Sequence, residues 1–213
     1  MSAHDSIVIL GAAVIGLDVA LVLAERGYGK VITVIAEHLP GDTALSYTSP
    51  WSLPGVGDPK CYPTRGQVLL THAPEAHMNI MRHGKDYETY VIPRPCSNGH
   101  VILGGYMQKG NGDGTTFSYE TESILKRTNE LIDEVRTGTL EVLTAFSGLR
   151  PSREGGARVE REDVIVVGQK RTVVHNYGAG GTGFRAGYGM ALDAVRAAEP
   201  VLSKIQIEPG PKL

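Results

Sequence analysis

The stretch that decides the fold runs from Ile7 to Gly16 and reads IVILGAAVIG. Its first four residues form an apolar, β-rich run that suits a parallel strand buried on both faces, and Gly11 ends that run. Val14 to Arg26 then predicts a helix, and Val31 to Ile35 predicts a second strand. The chain therefore opens with a predicted β-turn-α-β unit.

The turn between this strand and helix has the spacing of a dinucleotide-binding motif, Gly11-Ala12-Ala13-Val14-Ile15-Gly16. In such turns the first glycine permits the tight bend and the last lets helix and strand pack closely. The middle glycine, here replaced by Ala13, lets a pyrophosphate approach the helix N-terminus. Glu37 is placed to accept hydrogen bonds from a ribose, unless it is simply a solvated residue after a strand. The pattern favours nucleotide binding over a purely structural unit, and by itself it does not distinguish FAD from NAD.

The middle of the chain predicts an antiparallel sheet with one helix. Gly41 to Pro63 is rich in Pro, Gly and Ser and predicts a linker or a loop-dominated crossover. Four β-rich runs follow, of which the first three predict neighbouring antiparallel strands: Gln67 to Leu70, Tyr87 to Ile92, His100 to Leu103 and Leu140 to Leu143. The predicted helix has Ser118 as its cap and an apolar stripe made of Ile124, Leu125, Leu131, Ile132 and Val135.

The end of the chain returns to α/β material. Two strands, Asp163 to Val167 and Arg171 to Val174, lead through a glycine-rich turn into a helix from about Phe184 to Glu199 that stops at Pro200. We therefore predict an α/β fold, α+β overall. Residues 1–51 and 151–213 form a Rossmann-like nucleotide-binding domain, and residues 52–150 form an inserted domain with a mixed or antiparallel sheet.

Composition excludes several classes of protein. The formal net charge of −2 leaves no basic stripe for nucleic acid, and two cysteines, Cys61 and Cys96, favour a reducing intracellular compartment. Ile7 to Ala24 is nearly all apolar, but Asp18 in its middle argues against a membrane span. The histidines show no metal-binding spacing, so no metal site is predicted. Glycine is in excess, with 27 of 213 residues, and its concentration at 104–114 and 178–189 predicts tight turns and close backbone approaches.

Several further blocks occur in one order along the chain: Val31 to Pro50, YPTRGQ at 62–67, YVIPRP at 90–95, GLRP at 148–151 and HNYGAGGTGF at 175–184. Together with the GAAVIG turn they resemble the D-amino-acid oxidase family, especially its fungal members. The resemblance implies an FAD-binding Rossmann-like domain and a substrate domain built on a mixed sheet. It also implies oxidative deamination of D-amino acids to 2-oxo acids, ammonia and hydrogen peroxide, with hydride transfer from the substrate Cα to the flavin N5 and oxygen as the final acceptor.

The resemblance assigns roles to particular residues. Arg150 matches the arginine that holds the substrate carboxylate, Tyr90 a tyrosine whose hydroxyl reaches the same carboxylate, and Gly181 a glycine whose carbonyl receives the substrate amine. The implied cofactor-binding residues are Gly11, Ala13, Val14, Ile15, Gly16, Glu37, His38, Gly178, Gly180, Gly181, Thr182, Gly183 and Phe184. Without the motif, Arg150 would be expected to be a surface or ion-paired arginine.

The chain also departs from the family. Family members are longer, and the portion absent here falls near Ser52. An alternative expectation is therefore a truncated, catalytically impaired relative that acts at most as a nucleotide-binding or interaction module, and a nicotinamide oxidoreductase is a third. Pro211-Lys212-Leu213 resembles a peroxisomal import tripeptide, which predicts an import receptor as partner and peroxisomal residence, with the cytoplasm as the alternative. The sequence is compatible with a homo-oligomer and does not determine the oligomeric state.

Overall fold

The computed structural model describes residues 6–36, 58–84 and 87–205. Contacts between residues divide the chain into two compact units, of which the first joins Met1–Tyr62 with Pro151–Leu213 and the second is Pro63–Arg150. The first boundary predicted from the sequence, after residue 51, lies outside the described residues. The tripeptide at 211–213 also lies outside them.

The first unit begins with the predicted β-turn-α-β arrangement, which is confirmed almost to the residue. Strand β1 is Ile7–Leu10, helix α1 is Val14–Glu25 and strand β2 is Ile32–Ile35, and the two strands pair in parallel. The helix ends in a Schellman motif, because Gly27 adopts a φ of +91° that favours glycine. Strand β2 starts one residue later than predicted because Gly29–Val31 forms a 3-10 turn.

The core of this unit lies between helix α1, a second helix and one face of the β1–β2 sheet. Helix α4, Gly183–Leu202, packs beside α1, and both contribute to an apolar cluster with β1: Ile9, Val22, Leu23, Ala191, Val195 and Leu202. The prediction that β1 is buried on both faces is wrong. Ile9 is buried, whereas Val8 and Leu10 are 50% and 52% exposed, because the described helices cover only one face of the β1–β2 sheet.

The last elements of the first unit are longer than predicted. Strands β9, Arg158–Val166, and β10, Gln169–Tyr177, form an antiparallel hairpin before α4. The prediction that α4 stops at Pro200 is wrong, since the helix continues through Pro200 to Leu202. A proline in the last turn removes a single hydrogen bond close to the end of the helix, which limits its effect. Among the described helices, none has the length and apolarity needed to cross a membrane.

The second unit is built on a six-stranded sheet with the order β4-β5-β6-β3-β7, in which β8 also pairs with β3. The strands are β3 Cys61–His72, β4 Ile80–His83, β5 Tyr87–Pro93, β6 His100–Tyr106, β7 Gln108–Lys109 and β8 Glu141–Arg153. The predicted antiparallel neighbours are confirmed as β5-β6-β3, whereas β4 and β7 were not predicted. The predicted loop up to Pro63 is wrong at its end, because β3 already begins at Cys61.

One predicted helix is two helices in the structure. Helix α2 is Ser118–Asn129 and α3 is Asp133–Thr137, with Ile132 in an extended conformation between them. Phe117, rather than Ser118, is the N-cap residue of α2. The break lets side chains from both helices join one core, whose members are Leu69, Ala73, Ala76, Val91, Val101, Leu103, Ile124, Ile132 and Val135.

A fully buried ion pair joins α2 to the sheet. Arg65 on β3 donates from Nη1 to both carboxylate oxygens of Glu120, at 3.0 and 2.8 Å, and both side chains have 0% exposure. The same guanidinium donates to Gln108 and Gln67 and lies 4.8 Å from the centre of the Phe117 ring. Buried charges need such partners, because burial of a lone charge is strongly unfavourable.

We predict that Glu120→Gln lowers the free energy of unfolding by about 3–5 kcal/mol, because it leaves the Arg65 guanidinium buried without a counter-charge. Urea unfolding followed by circular dichroism measures the change. The control is Arg136→Met, which breaks an exposed pair with Asp133, where the two side chains are 56% and 81% exposed. That variant should lose less than about 1 kcal/mol. Equal losses in the two variants would contradict the prediction.

Candidate functional site

The turn between β1 and α1 requires glycine at both ends. Gly11 has a φ of +103°, which side chains rarely adopt. A Cβ added to Gly16 would lie 2.0 Å from the Gly11 carbonyl oxygen, so α1 can start this close to the end of β1 only because Gly16 lacks a side chain. The predicted roles of the first and last glycine, a tight bend and close packing, match this geometry.

Ala13, which stands at the middle position of the motif, has an unstrained backbone conformation. Its φ of −76° and ψ of 173° are extended backbone that any residue adopts, and it is the N-cap residue of α1. In the described part of the chain no side chain caps this helix, and its first turn contains no acidic residue. The predicted residues Val14 and Ile15 form the start of the helix, where the dipole favours an anion.

The second glycine-rich turn precedes α4. Gly178 has a φ of +84° and a Cβ there would lie 2.7 Å from the Cβ of Arg153, while Gly180 has a φ of +57° and lies against Ser152. Gly180–Thr182 forms a 3-10 turn that leads into α4. The Thr182 hydroxyl donates to the Ala179 carbonyl at 2.7 Å and does not cap the helix. Glycine conformations thus set this turn as well.

The two turns lie at the same end of the first unit. A Cβ on Gly187, in the first part of α4, would lie 3.8 Å from Val14, and Tyr28, after α1, donates to the carbonyl of Leu202. Helices α1 and α4 are therefore parallel, and their N-termini lie together. Gly181, Thr182 and Phe184 are exposed at the start of α4.

A helix N-terminus that follows a glycine-rich turn is suited to a phosphate group, such as the diphosphate of a dinucleotide, because its free N–H groups point at the anion. The described cofactor-binding residues predicted from the sequence all lie in these two turns and helix starts. Glu37 and His38, predicted to contact the ribose part, lie outside the described residues.

A polar network that the sequence did not reveal holds the strands next to the second turn. Arg153 Nε donates to Asp58 at 2.7 Å, and the Tyr177 hydroxyl donates to the same carboxylate oxygen at 3.0 Å. The backbone N–H of Lys60 donates to the other oxygen of Asp58. Arg158 in turn donates to the Tyr177 hydroxyl at 3.1 Å. The Arg153 guanidinium, followed by the Lys60 N–H, holds the pKa of Asp58 far below its usual range.

We predict that this network makes the first unit sensitive to acid. A carboxyl group with a lowered pKa in the folded chain stabilises it above the unfolded pKa of about 4, and this contribution is lost as the pH falls through the folded pKa. Asp58→Asn should therefore lower the free energy of unfolding at neutral pH. It should also reduce the slope of that free energy below about pH 5, by up to about one proton.

Urea unfolding at a series of pH values measures both effects. Asp193→Asn is the matched control, because that carboxylate is exposed in the same unit, in an ion pair with Arg196. An unchanged slope in Asp58→Asn would refute the prediction.

In the second unit the structure brings Tyr90 and Arg150 together. Tyr90, on β5, is buried, and Arg150, on β8, donates from Nη1 to the carbonyl of Tyr106 at 3.2 Å. Burial raises the pKa of Tyr90, while the Arg150 guanidinium beside its hydroxyl acts in the opposite direction. A Cβ on Gly66 would lie 2.5 Å from Arg150 Nη1, so Gly66 provides space for the guanidinium. A tyrosine hydroxyl beside an arginine fork is suited to a carboxylate.

Gly104 provides the space for the Tyr90 ring. The two residues are partners in the register of β5 and β6, and a Cβ on Gly104 would lie 2.1 Å from Cζ of Tyr90 and 2.5 Å from its hydroxyl. The sequence predicts a turn of unknown purpose in the glycine-rich window 104–114, which is wrong at its start, because Gly104 and Gly105 lie on β6. The partnership between residues 90 and 104 depends on strand register, and a signal of that kind is not visible in a local pattern.

We predict that Gly104→Ala displaces the Tyr90 ring and lowers the free energy of unfolding by about 1–3 kcal/mol through overpacking. The ring is followed through the ¹³Cζ signal of labelled tyrosine, which Tyr90→Phe identifies. Gly114→Ala is the control, since a Cβ there meets nothing within 4 Å. If the Tyr90 signal is unchanged in Gly104→Ala, the contact does not set the ring position.

Comparison with known proteins gives a consistent result. The profile of the FAD dependent oxidoreductase family matches residues 44–197. A D-amino-acid oxidase of Schizosaccharomyces pombe is 48% identical over 190 residues, which cover 86% of this chain and 54% of that protein. A D-aspartate oxidase of Cryptococcus neoformans is 33% identical over 180 residues, covering 67% of this chain and 45% of the relative. This chain thus spans about half the length of the curated relatives it matches.

The solved structures support the fold. A glycine oxidase from Geobacillus kaustophilus superposes with a TM-score of 0.53 at 18% identity, over 72% of this chain and 40% of its own. An iminodiacetate oxidase from Chelativorans gives a TM-score of 0.51 at 16% identity, over 71% and 38%. These similarities, together with the helices and sheets described above, confirm the predicted mixed α/β fold class.

Proposed function

Because this chain belongs to the FAD dependent oxidoreductase family, we propose that it binds FAD and oxidises D-amino acids. The overall reaction converts a D-amino acid, oxygen and water into a 2-oxo acid, ammonia and hydrogen peroxide. The observation that carries the proposal is the placement of Arg150 beside the buried hydroxyl of Tyr90. The relatives named D-amino-acid oxidase support the substrate class.

Arg150 and Tyr90 would recognise the carboxylate that all amino acids share. A guanidinium binds a carboxylate through two parallel hydrogen bonds, which fix its orientation as well as its charge. The Tyr106 carbonyl accepts from one arm of the fork and holds its plane. A tyrosine hydroxyl is protonated at neutral pH and can donate a hydrogen bond. Burial raises the pKa of Tyr90, which acts in the same direction. Substrate orientation is the main contribution expected from the protein when a cofactor carries the chemistry.

The two glycine-rich turns would hold the cofactor. Gly11 to Gly16 would present the N-terminus of α1 to the diphosphate. Gly180 to Phe184 would line the flavin, and the N-terminus of α4 would stabilise negative charge on the reduced ring. When bound, FAD supplies the two-electron acceptor that no amino-acid side chain provides. The role of the Gly181 carbonyl toward the substrate amine stays a prediction from the resemblance.

A second candidate function is supported by an exposed apolar surface. On the face of the β1–β2 sheet that the described helices leave uncovered, Val8, Leu10 and Ile35 are 50%, 52% and 54% exposed. Exposed apolar patches often mark interaction sites. With the chain spanning about half the length of its curated relatives, this surface favours the alternative of a nucleotide-binding or interaction module with little activity.

One experiment separates the two candidates. The chain is purified with added FAD, its visible absorption spectrum is recorded, and hydrogen peroxide is assayed with D-alanine and with L-alanine. The oxidase proposal expects a yellow protein that forms peroxide from the D-isomer alone. A yellow protein without peroxide supports the nucleotide-binding module, and a colourless one refutes the oxidase proposal.

We predict that Arg150→Met raises KM for D-alanine by about tenfold to a hundredfold, because it removes a charge-assisted pair of hydrogen bonds. Tyr90→Phe removes one hydroxyl and should raise KM by about threefold to tenfold. Arg94→Met is the control, because Arg94 is an exposed arginine just after the same strand as Tyr90. Steady-state peroxide assays give the values. An unchanged KM in Arg150→Met would remove the assigned role of Arg150.

A further inference from the structure

Tyr90 and Arg150 form the proposed carboxylate-binding pair. One further arginine contacts both β5, which carries Tyr90, and β6, against which the Tyr90 ring packs. Arg127 lies on α2, and its guanidinium makes contacts on β5 and β6. Nη1 donates to the Glu88 carbonyl at 3.2 Å and to the Thr89 hydroxyl at 3.1 Å. Nη2 donates to the Gly105 carbonyl at 3.2 Å.

The rest of the side chain is also fixed. Arg127 Nε donates to the Ser123 carbonyl on its own helix at 3.2 Å. The guanidinium carbon lies 5.0 Å from the centre of the Tyr106 ring, within the range of a cation–π contact. These acceptors on two strands, together with the Tyr106 ring, fix the position of the planar group. A lysine ammonium cannot satisfy the same set of acceptors.

These contacts lie close to Tyr90 or to groups that contact Tyr90 or Arg150. Thr89, which is fully buried, directly precedes Tyr90. Gly105 follows Gly104, the residue against which the Tyr90 ring packs. Tyr106, under the guanidinium, is the residue whose carbonyl accepts from Arg150.

The spacing around Tyr90 leaves little freedom. A Cβ on Gly104 would lie 2.1 Å from the ring, and one on Gly105 would lie 3.0 Å from the hydroxyl. A shift of the Gly104–Tyr106 backbone relative to β5 by a few tenths of an ångström therefore moves the ring, the hydroxyl and the acceptor of Arg150 together. The hydrogen bonds from Arg127 oppose such a shift, because they join β5 to β6 at this point.

We propose that Arg127 is a positioning residue, which sets the distance between the Tyr90 hydroxyl and the Arg150 guanidinium by joining β5 to the Gly104–Tyr106 segment of β6. The assignment of a carboxylate to that pair rests on the function proposed above. The position of the Tyr90 hydroxyl does not, and it can be measured on its own.

The test compares Arg127→Met, Arg127→Lys and Thr89→Val with Arg136→Met, the exposed arginine on α3 in the same unit. The ¹³Cζ signal of Tyr90 is followed in labelled protein, and KM and kcat for D-alanine are measured in FAD-loaded protein. Positioning predicts a shifted Tyr90 signal in both Arg127 variants and a smaller shift in Thr89→Val. It also predicts a KM raised about threefold to tenfold with kcat nearly unchanged, because carboxylate binding acts on ground and transition state alike.

Other results overturn the proposal. If Arg127→Met and Arg127→Lys lower the urea midpoint but leave the Tyr90 signal and KM at wild-type values, Arg127 only stabilises the fold. If Arg127→Met does not fold, Arg127→Lys and Thr89→Val decide, and wild-type signals in both refute positioning. A wild-type protein without oxidase activity refutes the proposed function instead, and the Tyr90 signal still reports on Arg127.

Discussion

The constraint on which the rest of the structure depends is the absence of a Cβ at a few glycines. At Gly16 a side chain would collide with the Gly11 carbonyl, at Gly66 with Arg150 and at Gly104 with Tyr90. Each contact joins elements that must lie closer together than side chains allow. In the first unit this closeness brings a helix N-terminus to the end of a strand. In the second unit it makes room for Arg150 and Tyr90, the proposed carboxylate-binding pair.

The sequence pattern predicted those elements whose bounds are set by neighbouring residues in the chain. Strands β1 and β2 and helix α1 follow from an apolar run, a glycine at each break and a helical stretch, and the structure reproduces them almost to the residue. Strand β4 was not predicted because it depends on pairing with β5. The break at Ile132 was not predicted because it depends on side chains of α2 and α3 reaching a common core. Tertiary packing likewise carries α4 past Pro200.

The candidate site was predictable only in part. Tyr90 and Arg150 came from the family resemblance, and the structure places them side by side. Gly66, Gly104 and Arg127 were missed because each acts on residues that are distant from it in sequence, which no local motif reveals. The Asp58 network was missed for a similar reason, since it joins three segments that are distant in sequence.

The parallel arrangement of α1 and α4 has a consequence for how the first unit evolves. Neither helix has an acidic residue in its first turn, and the positive ends of both dipoles lie at the same end of the unit. Main-chain amides at these ends attract an anion in a chain whose net charge is −2, and the exposed Arg185 in the first turn of α4 adds a positive charge. Main-chain groups are inherited with the backbone path and not with side-chain identity. Outside the glycines, such a surface can keep its affinity through extensive sequence divergence, in keeping with a fold that is still shared at 18% identity.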